Sequence, residues 1–219
     1  MFMKIEIGNR KPDNFEEHWP GQYEVFSHFE FAAGIPSVLH AVTTLKENGA
    51  PNVNFNFSSS FTGDGDGYFA VIPLYRHTHT YRNILRTGEF VVNFMGPKYF
   101  DALIATIHQN GDDADEFEAG GFHRERAETV GCPRMQEAFL SLECKLEREL
   151  DLSGSGRAAL IIGRVTHIAA EEAYATGIDG KYEENGFMLN IHAPKNLLTG
   201  EGKASAVAVC QVVRVNEEG

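Results

Sequence analysis

His77-Thr-His-Thr-Tyr-Arg-Asn-Ile-Leu-Arg-Thr-Gly-Glu-Phe-Val-Val-Asn93 reads as a short helix that runs straight into a buried strand. Thr78 or Thr80 can serve as N-cap, because a hydroxyl there accepts from a first-turn N–H. Tyr81, Ile84 and Leu85 fall on one apolar face, and Gly88 supplies the left-handed stop. The N–H groups at a helix start have no intrahelical acceptor and attract anions. Arg76 and Arg82 flank the hydroxyls of Thr78 and Thr80, a set that suits a phosphate. A capped helix with solvated arginines has the same spacing.

Just upstream, Asn52-Val-Asn-Phe-Asn-Phe-Ser-Ser-Ser-Phe-Thr62 alternates. Asn52, Asn54, Asn56, Ser58 and Ser60 share one face of an extended chain; Val53, Phe55, Phe57, Ser59 and Phe61 share the other. Asn is poor in strands. A neutral, short-armed face dense in donors and acceptors suits a ligand rich in amide and carbonyl groups. A half-buried strand ending in a Ser-rich loop is the alternative.

Further along, Leu140, Leu142, Cys144 and Leu146 alternate with Ser141, Glu143, Lys145 and Glu147, as a half-exposed strand does. Ser153-Gly-Ser-Gly156 turns the chain, and Ala158 to Ile168 returns as a second apolar strand, so a hairpin is expected. Pro97 to Ile107 reads as a helix with Tyr99, Phe100, Leu103, Ile104 and Ile107 on one side. Asp112 to Glu118 reads as a solvated acidic connection, and Ala206 to Val215 as a C-terminal strand. Gly63-Asp-Gly-Asp-Gly67 reads as a tight surface loop; without a strand-to-helix context it is no nucleotide fingerprint.

Taken in order, these segments resemble the flavin reductase-like family, the FMN-binding split barrels that include flavoredoxins and NAD(P)H:flavin oxidoreductases. The resemblance rests on Ile35-Pro36 to Val42-Thr43-Thr44, Glu47-Asn48-Gly49-Ala50-Pro51-Asn52, Ser58-Ser59-Ser60, Thr80-Tyr81-Arg82-Asn83-Ile84, Gly88 to Asn93, and Leu142-Glu143-Cys144-Lys145. Asp115 to Phe122 is similar to the family's Lys-Phe-x-x-x-Gly segment. The likeness covers about residues 30–170. Gly63 to Gly67 stands where many relatives carry Asp-Pro-Pro. The resemblance implies a mainly β fold with helical additions, an FMN-binding split β-barrel. It also implies a homodimer with the flavin near the subunit boundary.

The same resemblance assigns Asn54, Asn56, Ser58, Ser59 and Ser60 to the flavin ring and ribityl chain. Arg76, Thr78, Thr80 and Arg82 go to the phosphate. By position alone, His77 and His79 at a helix start read as an anion or flavin edge, with a shared metal or two solvent-facing histidines as the alternatives. His123 and His192 are candidates to border the nicotinamide, with structural roles as the alternative for both. Flavin carries the redox chemistry, so no protein group is required as catalytic acid or base. Two functions follow: an FMN-dependent flavin reductase fed by NADH or NADPH, or a flavoredoxin-like FMN carrier that exchanges electrons with a redox partner protein.

Composition bounds the rest. With 219 residues, 42% of them hydrophobic, one domain spanning 1–219 can bury a sizeable core. Its expected nucleus is about 30–170 with the strand at 206–215. The formal net charge of −12 argues against nucleic acid or an anionic membrane as the main partner, while a local basic pocket still takes a phosphate. No apolar run has the length of a bilayer span, and Met-Phe-Met-Lys-Ile-Glu lacks a signal-peptide layout, so a cytoplasmic location is expected. Cys132, Cys144 and Cys210 are widely spaced and read as thiols in a reducing compartment. No His-Glu-x-x-His or zinc spacing occurs, and no metal is expected.

Overall fold

The structure, a computed structural model, describes residues 3–177 and 181–213. The described residues form two compact units: Val38–Met188 with 209–213, and 3–37 with Leu189–Ala208.

The larger unit is built on one seven-stranded antiparallel sheet. Its strands are β1 (His40–Leu45), β2 (Pro51–Asn56), β3 (Ser60–Asp64), β4 (Gly67–Tyr75), β5 (Glu89–Phe94), β6 (Leu140–Asp151) and β7 (Ala158–Ala170). They lie in the order β2-β1-β5-β6-β7-β4-β3. The strands β2 and β3, consecutive in the chain, are therefore the two edges. The link from Asn56 to Ser60 reaches at most about 14 Å, whereas a flat seven-stranded sheet is roughly 29 Å across. The sheet must curl until its edges nearly meet, and the open seam between them is the split of a split barrel. Ser58, at φ +65°, makes this corner in the left-handed region that a non-glycine residue seldom adopts.

Val42, Ile72, Leu74, Ile84, Phe90, Phe94, Cys144 and Ile161 fill the core of this unit. Gly163 in β7 is needed there, since a Cβ would run into the Phe90 ring. Helix α1 (His79–Thr87) starts at the N-cap Thr78 and stops at Gly88, φ +73°. Its buried stripe is Thr80, Tyr81, Asn83 and Ile84, and Leu85 is 46% exposed. The expected apolar face was thus turned too far. Thr80 and Asn83 can be buried because Asn52 and Thr44 supply their hydrogen bonds.

The β6–β7 hairpin forms as expected. Its first half is not half-exposed, because Ser141 and Glu143 are both buried. Residues 128–134 cover that face: Glu143 accepts from the N–H groups of Glu128 and Thr129, from the Thr129 hydroxyl and from Arg134. A 3-10 turn, Pro97–Tyr99, leads into α2 (Phe100–His108), which buries Leu103 but leaves Ile107 half exposed. The acidic connection is not simply solvated either. Asp115 caps α3 (Glu116–Gly120), and Glu116 is buried against Lys46 at 2.9 Å.

In the smaller unit, Ser27 and Glu30 form a capping box on the helix His28–Ala33, and Phe15 and Phe31 are fully buried. The C-terminal strand is shorter than expected, Ala206–Val209; Arg214 and Val215 lie outside the described residues.

Candidate functional site

Directly opposed residues of an antiparallel pair point to the same side of the sheet. Thr44, Val42 and His40 of β1 stand opposite Asn52, Asn54 and Asn56 of β2. The amide row therefore shares a face with core residues, and α1 packs on one end of it. Asn52 meets Thr80 at 2.9 Å, and the Asn83 amide donates to the Thr44 hydroxyl at 3.0 Å. The two segments singled out in the sequence are thus bonded to each other. From Asn52 to Asn56 the row extends about 13 Å. It continues through the corner at Ser58 to Ser59, whose hydroxyl lies 3.1 Å from His40 Nε2.

Below the start of α1 lies a buried polar network. Lys46 Nζ pairs with Glu116 and also donates to the carbonyls of Gly111 and Ala114, at 2.7 and 2.8 Å. Glu116 accepts from Val53 N–H at 2.6 Å. Burial raises the Glu116 carboxyl above its ordinary range, opposed by Lys46 and that N–H. Asn52 satisfies all its neighbours with its amide nitrogen toward Glu116 (3.2 Å) and its oxygen accepting from Thr80 Oγ1 (2.9 Å). Thr80 as a whole is 1% exposed, and its hydroxyl is then spent inside the protein. What it leaves at the helix start is backbone: the N–H groups of His79 and Thr80 have no intrahelical acceptor.

The other expected phosphate residues are placed as follows. Thr78 Oγ1 donates to the Tyr75 carbonyl (2.8 Å) and accepts from Tyr81 N–H (3.3 Å). Arg76 reaches Glu149 at 2.6 Å and Asp151 at 3.4 Å, and it lies over the Tyr81 ring. Its Nε is buried and has no hydrogen-bond partner. His77 is exposed beside Tyr75. Arg82 lies on the outer face of α1, in a cleft of about 550 Å³ lined also by Lys46, His79, Asn83 and Arg86. His79 bonds Asn110 and Asp112 at its mouth, both at 2.8 Å.

Along the amide row, Asn56 Nδ2 donates to Asn54 Oδ1 (3.1 Å) and to the Pro73 carbonyl (3.4 Å). Ser58 and Ser60 are exposed and Ser59 half-buried. His123 is on the surface of the larger unit, paired with Glu137 at 2.7 Å. His192 belongs to the smaller unit and packs against Phe26 and Phe31, where burial lowers its pKa.

Two residues escaped the sequence reading. Arg157 follows the hairpin turn, and its carbonyl accepts from Arg76 N–H at 3.0 Å, which holds its backbone beside Arg76. His40 is fully buried against the rings of Phe61 and Phe94, and burial pulls its pKa down to about 4. Its signal was an ionisable residue inside the apolar run Val38 to Val42.

This donor set fits a phosphorylated, amide-rich ligand. It offers two orphan helix-start N–H groups, the unpartnered Arg76 Nε and a neutral polar row leading away from them.

Comparison with known proteins bears on the same region. Residues 32–186 match the model of the flavin reductase like domain. The uncharacterized protein YwrF of Bacillus subtilis (strain 168) is 30% identical over 144 residues, 63% of this chain and 70% of that protein. An uncharacterized protein of Aquifex aeolicus (strain VF5) is 39% identical over 67 residues, 31% of this chain and only 34% of its own. Among solved structures, nitrilotriacetate monooxygenase component B from Bacillus cereus superposes with a TM-score of 0.71 at 18% identity, covering 97% of this chain and 100% of that one. Flavoredoxin of Desulfovibrio vulgaris (Miyazaki F) gives 0.63 at 17%, covering 84% and 91%. The NADH:FAD oxidoreductase SgcE6 of Streptomyces globisporus C-1027 gives 0.60 at 16%, covering 80% and 92%. At these identities the structural likenesses speak for the fold alone.

Proposed function

Because this chain belongs to the flavin reductase-like family, we propose that it is an FMN-binding oxidoreductase that reduces flavin at the expense of NADH or NADPH. The observation that carries this reading is the bond between Asn52 and Thr80. It joins an anion-attracting helix start to a row of neutral amides and hydroxyls, the layout a phosphorylated ring ligand requires.

When bound, FMN would supply the hydride chemistry at its ring, and the chain's own residues would bind and orient it. The N–H groups of His79 and Thr80 would take phosphate oxygens, with Arg76, His77, Thr78 and Arg82 around them. Asn54, Asn56, Ser58, Ser59 and Ser60 would hold the ribityl chain and ring. The buried Lys46–Glu116 pair would fix Asn52, and through it the helix start, before any ligand arrives.

The test is direct. Purified protein should quench FMN fluorescence on titration, and the complex should oxidise NADH or NADPH rapidly in a stopped-flow assay. Tight FMN binding with slow NADH and NADPH oxidation, beside fast reduction by a protein donor, would instead mark a flavoredoxin-like carrier. The net charge of −12 would suit docking of such a carrier to a basic redox partner. Absence of any flavin binding would remove both readings.

A further inference from the structure

Beyond the binding of flavin, and resting on that reading, the geometry points to His40 as a positioning residue. It fixes the Ser59 hydroxyl as a hydrogen-bond acceptor for the ring N3–H of the flavin.

His40 Nδ1 lies 3.3 Å from the Val38 carbonyl, which can only accept, so Nδ1 carries the proton. Full burial against Phe61 and Phe94 keeps the ring neutral at physiological pH. A neutral imidazole has one N–H, and Nε2 is therefore an acceptor. The atom facing Nε2 at 3.1 Å is Ser59 Oγ, so Ser59 must donate its single proton to His40. What the half-buried Ser59 offers outward is only the lone pairs of its oxygen.

That polarity selects a partner. Ser59 stands at the corner where the amide row ends, beyond Asn54 and Asn56 and away from the helix start. A ribityl hydroxyl donates or accepts with equal ease and needs no preset partner. The flavin pyrimidine edge differs, because its N3–H is a fixed donor between two carbonyl acceptors. A serine locked as acceptor matches N3–H and repels either flanking carbonyl. Without His40 the hydroxyl could rotate and donate outward, and the distinction would be lost.

Two measurements test this. Nitrogen-15 histidine spectra of the flavin-free protein should show His40 protonated at Nδ1 and bare at Nε2. The opposite tautomer would overturn the proposal without touching the assigned function. FMN and N3-methyl-FMN are then titrated against the wild type and the variants Ser59→Ala, His40→Leu and His40→Gln. The wild type should bind FMN about tenfold more tightly than the N3-methyl analogue, the worth of one hydrogen bond in a partly buried site. Ser59→Ala and His40→Leu should bring the two affinities within about twofold, and His40→Gln, which keeps an acceptor, should restore part of the gap. Ser59→Ala removes one hydroxyl from a half-buried corner and serves if the core variants fail to fold. Equal affinity of the wild type for both flavins overturns this inference alone, whereas no binding of FMN overturns the proposed function with it.

Discussion

His40 shows how burial sets the chemistry of a single residue. Its folded pKa of about 4 lies below the unfolded value of roughly 6.5. As pH falls below that unfolded value the unfolded chain takes up the proton first, so stability drops. The loss attributable to His40 runs between pH ~6.5 and ~4, amounts to about 3 kcal/mol, and ends once both states are protonated. Urea midpoints at pH 7, 5.5 and 4 should fall steeply in the wild type and less steeply in His40→Leu; parallel slopes would mean the imidazole is solvated. Thr80 makes the complementary point. Because its hydroxyl faces Asn52, Thr80→Val should cost about 1–2 kcal/mol of stability without flavin, and FMN affinity should fall only through the loosened helix start, by less than about threefold. A tenfold loss of affinity at unchanged melting temperature would put that hydroxyl on the phosphate instead, and Thr80→Ser should behave as wild type in either case.

Between elements, the Lys46–Glu116 pair ties the end of β1 to α3, and Asn52 extends the tie to α1. Both charges are nearly inaccessible, at 5% and 1% exposure, so removing one strands the other. Lys46→Met should destabilise by about 3–5 kcal/mol, whereas Lys46→Met combined with Glu116→Leu should recover most of that loss. Chemical denaturation of the three proteins measures it, and additive losses in the double variant would deny the coupling. This network was not legible in the sequence. Lys46 and Glu116 are 70 residues apart, and Glu116 looked like one more acid in a polar run. Helix α1 itself was legible from Thr78 to Gly88, because caps and stops act locally. Which of its faces turned inward depended on partners from other strands.

At the scale of the molecule, ligand choice and assembly are the quantities to measure. If the start of α1 holds a terminal phosphate, FMN should bind at least tenfold more tightly than riboflavin, which leaves those donors empty. FAD, whose phosphate is esterified, should bind less tightly than FMN. Equal affinities in a fluorescence titration would move the phosphate site elsewhere. A homodimer is proposed on the family resemblance and on 16 Phe and 7 Tyr, more aromatic surface than one core of this size readily hides. Light scattering at micromolar concentration should give twice 24.3 kDa; a single-chain mass with FMN bound would refute it.

The sequence by itself determined what depends on near neighbours along the chain. The β6–β7 hairpin, the caps of α1, the alternation of β2 and the family all follow from spacings of two to four residues and from motif order. Tertiary structure alone decided what depends on closure. The corner at Ser58 interrupts an apparently continuous strand and sends its halves to opposite edges of the curled sheet. That curl sets Ser59 against His40, nineteen residues earlier in the chain, and the packing of α1 turns Thr80 toward Asn52. A side chain's donor or acceptor role is fixed by whichever partner arrives from afar. Alternation in one strand shows only which side a residue faces.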